Sequence, residues 1–246
     1  MNKEKALRLR QKILLLLIPN WIWPKSISYQ GIEISIRDSG YSTGTKYALW
    51  KRVYENEELH FVNEHIKEGD FVLELGASLG IVTRLLSKKV GKSGKVIAVE
   101  ASKKVFNQEF SKIRLLENVT YINALGIPCN GLNHSKYKNL VFEDGISTLG
   151  GKLNYVTTQT SENVIVDLGV LEEGYQRYCL VVDIEGAEQE ILNEKASIDP
   201  RIKIVIIELH PGIYGAQIEN EIKNKLLSQE FKLLDCRNSV FVYCRF

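Results

Sequence analysis

Asp183, Glu208 and His210 are the side chains of this sequence best placed to do chemistry. Asp183 ends the apolar run Cys179 to Val182, and Glu208 and His210 follow the run Ile204 to Ile207. An acid at the end of a buried strand is costly unless it is used or paired. A histidine of near-neutral pKa beside carboxylates suits removal of a proton from a weakly acidic hydroxyl. The same three groups are also a ligand set for a divalent cation that would acidify the hydroxyl directly. The metal-free base is the primary expectation and the cation its alternative. Glu185 and Glu188, just beyond Asp183, read equally well as acids complementing a helix N-terminus.

A second group of residues surrounds a glycine loop. The apolar run Phe71 to Leu75 leads into Gly76-Ala77-Ser78-Leu79-Gly80, and a helix is predicted from Ile81. Gly76 and Gly80 remove side chains where the backbone turns sharply, which suits either close approach to a ligand or tight strand-helix packing. Glu100 ends the next apolar run, Lys95 to Val99, about twenty residues beyond the loop, where an acid accepts hydrogen bonds from both ribose hydroxyls. The expected nucleoside-site residues are Glu74, Gly76, Ala77, Ser78, Gly80, Glu100 and Ala101. The loop lacks the glycines of a pyrophosphate-binding GxGxxG, and Glu74 would repel phosphate while suiting the cationic aminoacyl end of S-adenosylmethionine. S-adenosylmethionine is therefore expected rather than NAD. An NAD-dependent oxidoreductase and a non-catalytic S-adenosylmethionine-binding protein are the competing readings, and the acids and His210 at the strand ends favour an enzyme.

Positioning these groups requires a particular framework. The runs at 71–75, 96–99, 119–122, 179–182 and 204–207 are apolar without alternation, as in strands buried on both faces. Helices are predicted between them at 80–90, 103–117, 186–195 and 216–229, the rhythm of a parallel doubly wound sheet. The segments 231–236 and 240–246, joined by a short turn, must be antiparallel. The expected fold class is α/β, a Rossmann-like class I methyltransferase fold. Its sheet is mostly parallel with a C-terminal antiparallel hairpin. Residues 1–50 read as an N-terminal helix and β-hairpin extension, with the hairpin turning at Gly31, and 51–246 as the catalytic domain. A helix is predicted from Trp50 to Ile66. The long connection 127–175 reads as a lid or acceptor-binding insertion, or as a hairpin covering the sheet.

With 44% apolar and 25% charged residues over 246 positions, the chain has the composition of a folded globular protein and not of a disordered one. The net charge of +2 and scattered basic residues argue against a nucleic-acid partner. Four cysteines without CxxC spacing argue against zinc or a disulfide framework and fit the cytoplasm. Lys3, Lys5, Arg8, Arg10 and Lys12 precede the apolar run Ile13 to Ile18, which Pro19 and Asn20 break before Trp21 and Trp23. This run is too short to cross a bilayer as a helix. It is expected to pack on its own domain or on a second subunit of an oligomer. The alternative is peripheral contact of residues 1–24 with the inner membrane face.

The chain resembles the FkbM family of methyltransferases, in which a "DiGAnxG" block precedes a "KiDvEGaE" block. The similarity runs from about Tyr54 to His210. It is carried by Gly69 to Gly80, Val99-Glu100-Ala101, Asn123-Ala124-Leu125-Gly126, Asp183-Ile184-Glu185-Gly186-Ala187-Glu188, and Ile206 to His210. Glu74 stands where the family usually has Asp, and Ser78 where it usually has Asn. The resemblance implies O-methylation of a small-molecule or glycan acceptor, often at a sugar hydroxyl of a polysaccharide, glycolipid or natural product.

Overall fold

The computed structural model describes residues 18–127, 140–143, 152–155, 165–167, 177–189 and 198–246. Residues 1–17, most of the 127–175 connection and the larger part of the helix expected over 186–195 lie outside the described residues. The chain divides into a compact unit ending at Asn56 and a second from Glu57 to Phe246.

In the first unit, β1 (Ser26–Tyr29) and β2 (Ile32–Ser35) form an antiparallel hairpin in which Tyr29 opposes Ile32. Gln30 and Gly31 both take positive φ, 50° and 74°, as a two-residue turn matched to strand twist requires. Helix α1 (Thr43–Lys51) begins at Ser42, whose hydroxyl accepts the Thr45 N–H at 3.1 Å. It ends at Arg52 in the left-handed region, φ 56°. The single helix expected from Trp50 to Ile66 is thus two helices, α1 and α2 (Asn56–His65). Arg52 and Glu55, both at positive φ, turn the chain between them. The buried stripe of Leu59, Phe61 and Val62 belongs to α2 alone, while Trp50 and Val53 are exposed.

Among the described residues, the main sheet of the second unit has seven strands. They are β3 (Phe71–Leu75), β4 (Lys95–Glu100), β5 (Val119–Asn123), β10 (Tyr178–Val182), β11 (Ile202–Glu208), β12 (Lys232–Arg237) and β13 (Val240–Cys244), in the order β12-β13-β11-β10-β3-β4-β5. The pairs β11·β10, β10·β3, β3·β4 and β4·β5 are parallel, and β13 is antiparallel to β11 and β12. This is the mostly parallel α/β sheet with a C-terminal antiparallel hairpin read from the sequence. Helices α3 (Ile81–Val90), α4 (Lys103–Ile113) and α6 (Ala216–Ser228) follow β3, β4 and the single turn α5 (Pro211–Tyr214). Every residue of β3 and β10 is buried, and their side chains join those of β4, β11, β13 and α6 in one core. Of the long connection, β6 (Leu125–Ile127) pairs in parallel with β9 (Ile165–Asp167), and β7 (Leu140–Glu143) forms a hairpin with β8 (Lys152–Tyr155). The rest of this connection, read from the sequence as a lid, an acceptor-binding insertion or a covering hairpin, lies outside the described residues.

Strand order reverses at β3, whose sequence successor β4 lies on one side while β10 lies on the other. In open parallel sheets the carboxyl ends of strands flanking such a reversal border the ligand crevice. Asp183 follows β10, and Gly76 follows β3.

Candidate active site

The loop after β3 is pinned to its neighbours by backbone bonds. Gly76 and Ala77 donate to the Val99 carbonyl at 2.9 and 3.0 Å, and Asp183 donates to the Leu75 carbonyl at 3.0 Å. Gly76 sits at φ 90°, and a Cβ there would overlap the Asp183 carbonyl oxygen. Gly80 sits at φ 65°, where a Cβ would stand 2.5 Å from Ile113 Cδ1 of α4. Both glycines therefore permit close contact of chain with chain, the packing role that their spacing left open. Ser78 also takes a positive φ, 45°, which asparagine tolerates better than serine and which accounts for the usual residue at this position of the family block.

Glu100 organises the crevice side of this loop. Its Oε2 accepts the Ser78 N–H at 2.8 Å and its Oε1 accepts the Ser102 N–H at 2.6 Å. These two backbone bonds fix the carboxylate at the end of β4. Asn123 at the end of β5 donates to the carbonyls of Glu100 and Ala101 at 2.8 and 3.3 Å, fixing the segment that carries Ala101. Glu74 is only 2% exposed, and Thr83 of α3 donates to its Oε2 at 2.7 Å. Burial pushes its carboxyl up to about 8, against a smaller downward pull from Thr83. In the ligand-free chain Glu74 is thus a mostly protonated strand-helix clamp at neutral pH.

Asp183, Glu208 and His210 come together, joined by two carboxylates outside the expected trio. His210 Nδ1 lies 3.0 Å from Glu188 Oε1. Around Nε2 stand Glu185 Oε2 at 3.6 Å, Asp183 Oδ1 at 3.7 Å and Glu208 Oε2 at 4.0 Å. Glu188 is fully buried, and its Oε1 also accepts the N–H groups of Ile184 and Gly186 at 3.3 and 3.2 Å. Glu185 and Gly186 turn the chain at positive φ, and a Cβ on Gly186 would press against Ile213. The His210 N–H donates to the Tyr214 hydroxyl at 2.6 Å, and Ser239 donates to Glu208 Oε1 at 2.7 Å.

The electrostatics of the cluster differ from the sequence expectation. Burial alone would lower the His210 pKa, but the hydrogen bond and charge of Glu188, with Asp183 and Glu208, outweigh it and raise the imidazole to about 9. Without other ligands His210 is an imidazolium at neutral pH and not a ready base. Glu58 on α2 is pushed up to about 8 by burial, and next by the charge of Glu208, to which it hydrogen-bonds. The sequence leaves Glu188 open between a helix-end acid and a crevice acid and has no signal for Glu58, whose partner is 150 positions away in the chain (208 − 58).

A family model described as the methyltransferase FkbM domain matches residues 74–233. The chain belongs to the FkbM family of methyltransferases. The matched span opens at Glu74 and contains the loop, Glu100 and the whole His210 cluster except Glu58 and Ser239. No curated protein matches the chain. Solved structures similar to it include fibrillarin of Aeropyrum pernix with natively bound S-adenosyl-L-methionine, at 16% identity over 94% of this chain and 86% of that one, TM-score 0.44. A precorrin-6y C5,15-methyltransferase of Geobacter metallireducens is 12% identical over 77% and 87%, TM-score 0.44. A SAM-dependent methyltransferase of Aquifex aeolicus is 16% identical over 76% and 88%, TM-score 0.39.

Membership of the family makes the chain an S-adenosylmethionine-dependent methyltransferase, its sheet is Rossmann-like α/β, and the oxidoreductase alternative falls away. Its own residues fit that cofactor: a carboxylate at the end of β4 suits a ribose, and the loop lacks the glycine pattern of a pyrophosphate cradle. The burial of Glu74 carries a measurable signature. Because its folded pKa stands above the unfolded value, the folded chain holds a proton that the unfolded chain releases between pH 4.5 and about 8. Stability should therefore fall across that window, by up to about 5 kcal/mol from this group. Chemical denaturation of the cofactor-free Glu74→Gln variant should show a flatter pH dependence, more stable than wild type at pH 8 and converging with it near pH 5. Parallel pH curves would show that Glu74 is not the buried proton carrier.

Proposed function

We propose that this FkbM methyltransferase transfers its methyl group to an oxygen, a sugar hydroxyl of a glycan, glycolipid or natural product. The observation that carries the reading is the gathering of Asp183, Glu185, Glu188 and Glu208 around His210 at the carboxyl ends of β10 and β11. A sugar hydroxyl holds its proton far too tightly to ionise at neutral pH. It needs a base or an acidifying partner, and a carboxylate-histidine cluster is a means of supplying either. The family resemblance in the Asp183 to Glu188 block supports the same acceptor class.

When bound, S-adenosylmethionine would supply an electrophilic methyl group for in-line transfer to the acceptor oxygen, an O–C bond forming as the C–S bond breaks and its electrons stay with sulfur. In this reading Glu74, Gly76, Ala77, Ser78, Gly80, Glu100 and Ala101 form the cofactor side, with Glu100 receiving the ribose hydroxyls. Asp183, Glu208 and His210 face the acceptor, and Glu188 fixes the imidazole through Nδ1. In the metal-free form of this reading, the acceptor proton would pass to His210 once the ring has given up its own.

The purified chain should bind S-adenosylhomocysteine at micromolar or better affinity, about 8 kcal/mol by calorimetry. Glu100→Ala should weaken it by roughly 1.5 to 3 kcal/mol, and an unchanged affinity would remove Glu100 from the ribose site. His210→Ala should lower turnover on a hydroxyl acceptor roughly 10²- to 10⁴-fold with little change in cofactor affinity. Wild-type turnover in that variant, or transfer confined to amine or thiol acceptors, would overturn the oxygen reading.

We also propose that residues 1–24 rest peripherally on an anionic membrane surface. Among the described residues no helix is long and apolar enough to cross a membrane. In the N-terminal unit Trp21 is 74% and Ile22 53% exposed, and Lys51 stands 5.3 Å over the exposed Trp50 ring. Exposed tryptophan beside basic residues suits the headgroup boundary. The full chain should float with phosphatidylserine vesicles at low salt, less so at high salt, and a chain starting at residue 25 should not. Absence of flotation at low salt would eliminate the contact.

A further inference from the structure

We propose that Asp183, Glu188 and His210 form a binding site for one divalent cation of the magnesium or manganese class. The inference rests on reading this cluster as the place of acceptor activation, and it names the agent. One ligand atom from each residue lies within 4.8 Å of the other two. Oxygen and nitrogen donors about 2.0 to 2.3 Å from a common ion stand about 3 to 4.5 Å apart, so small side-chain adjustments close the site.

Glu188 supplies the independent observation. It is fully buried, and its Oε1 meets two backbone N–H groups and His210 Nδ1. Its Oε2 is buried without any hydrogen-bond partner among the described residues. A carboxylate oxygen left so in a protein interior is expensive. A cation beside it would remove that cost. Glu185 Oε2 and Glu208 Oε2, 3.6 and 4.0 Å from His210 Nε2, add negative charge at the margin. Two carboxylates and one imidazole, with no thiolate among the three, form an oxygen-rich set that suits magnesium or manganese better than zinc. The trio expected from the sequence is revised at one member. Glu208 accepts Ser239 and sits farthest from the ring, and Glu188 takes its place. A cation here would lower the pKa of a hydroxyl reaching the crevice.

The test is titration of the full-length chain with Mn²⁺, followed by the electron paramagnetic resonance of the free ion, in parallel with S-adenosylhomocysteine calorimetry. The expected result is one Mn²⁺ per chain. Glu188→Gln and Asp183→Asn should each weaken it by at least the roughly 10- to 100-fold that loss of an outer-shell partner costs, with cofactor affinity kept. Retained S-adenosylhomocysteine binding also certifies that each variant is folded, so either variant alone can decide. A wild-type chain that binds S-adenosylhomocysteine but no Mn²⁺ overturns the cation site and leaves the methyltransferase reading standing. Mn²⁺ binding undiminished in a folded variant overturns it too, by placing the ion elsewhere. Failure of wild-type S-adenosylhomocysteine binding would strike the underlying reading instead.

Discussion

The architecture of the site depends on the contact between the loop leaving β3 and the chain leaving β10. At Gly76 the two backbones approach so closely that no side chain fits between them, while Asp183 donates its N–H to Leu75. In the proposed reading the first loop carries the nucleoside side, and the second carries Asp183 to Glu188. Because the backbones touch, Asp183 to Glu188 cannot drift from the loop after β3 without breaking backbone hydrogen bonds. Methyl transfer rewards this rigidity, since in-line displacement is sensitive to misplacement of either partner.

The fold accepts a cost for the chemistry. Four carboxylates around one imidazole repel one another, and two of them draw on local support: backbone N–H groups for Glu188 and Ser239 for Glu208. Glu58, held near 8 by burial and by Glu208, keeps its proton at neutral pH, so that one potential charge is withheld from the cluster. Sites where titratable groups are pushed from their ordinary values by burial and specific partners are commonly those a protein uses. Locally unfavourable choices of this kind are expected where function, not stability, has set the residue.

Much of this was legible in the sequence because it is local. Unbroken apolar runs marked β3, β4, β10 and β11, and the close spacing of the last two runs marked the β12-β13 hairpin. Strand ends located Asp183, Glu208 and His210, since parallel strands deliver their carboxyl ends to one edge. What stayed hidden depends on tertiary contact or on unusual backbone. The break between α1 and α2 rests on left-handed Arg52 and Glu55, residue types that carry no turn signal. The work of Gly76 and Gly80 could not be assigned between ligand and packing until Asp183 and Ile113 were seen beside them. His210 has an ordinary pKa in isolation, and its shift arises from acids brought in by folding. Glu188 stayed open between a helix-end acid and a crevice acid because His210, which decides between them, is 22 positions away.

The β12-β13 hairpin has a consequence for association. Among the described residues β12 forms one border of the main sheet, and all six of its residues are exposed. Its ladder with β13 slips between Leu233 and Asp235, leaving Leu234 as an extra residue, and Lys232, Asp235 and Arg237 place charge along it. A bulged, charged border is a poor template for another strand. With Leu233 and Leu234 both near half exposure, an unbroken apolar ribbon here would invite copies of the chain to stack into aggregates. The single inserted residue interrupts that ribbon, so the strand that completes the sheet also ends its growth.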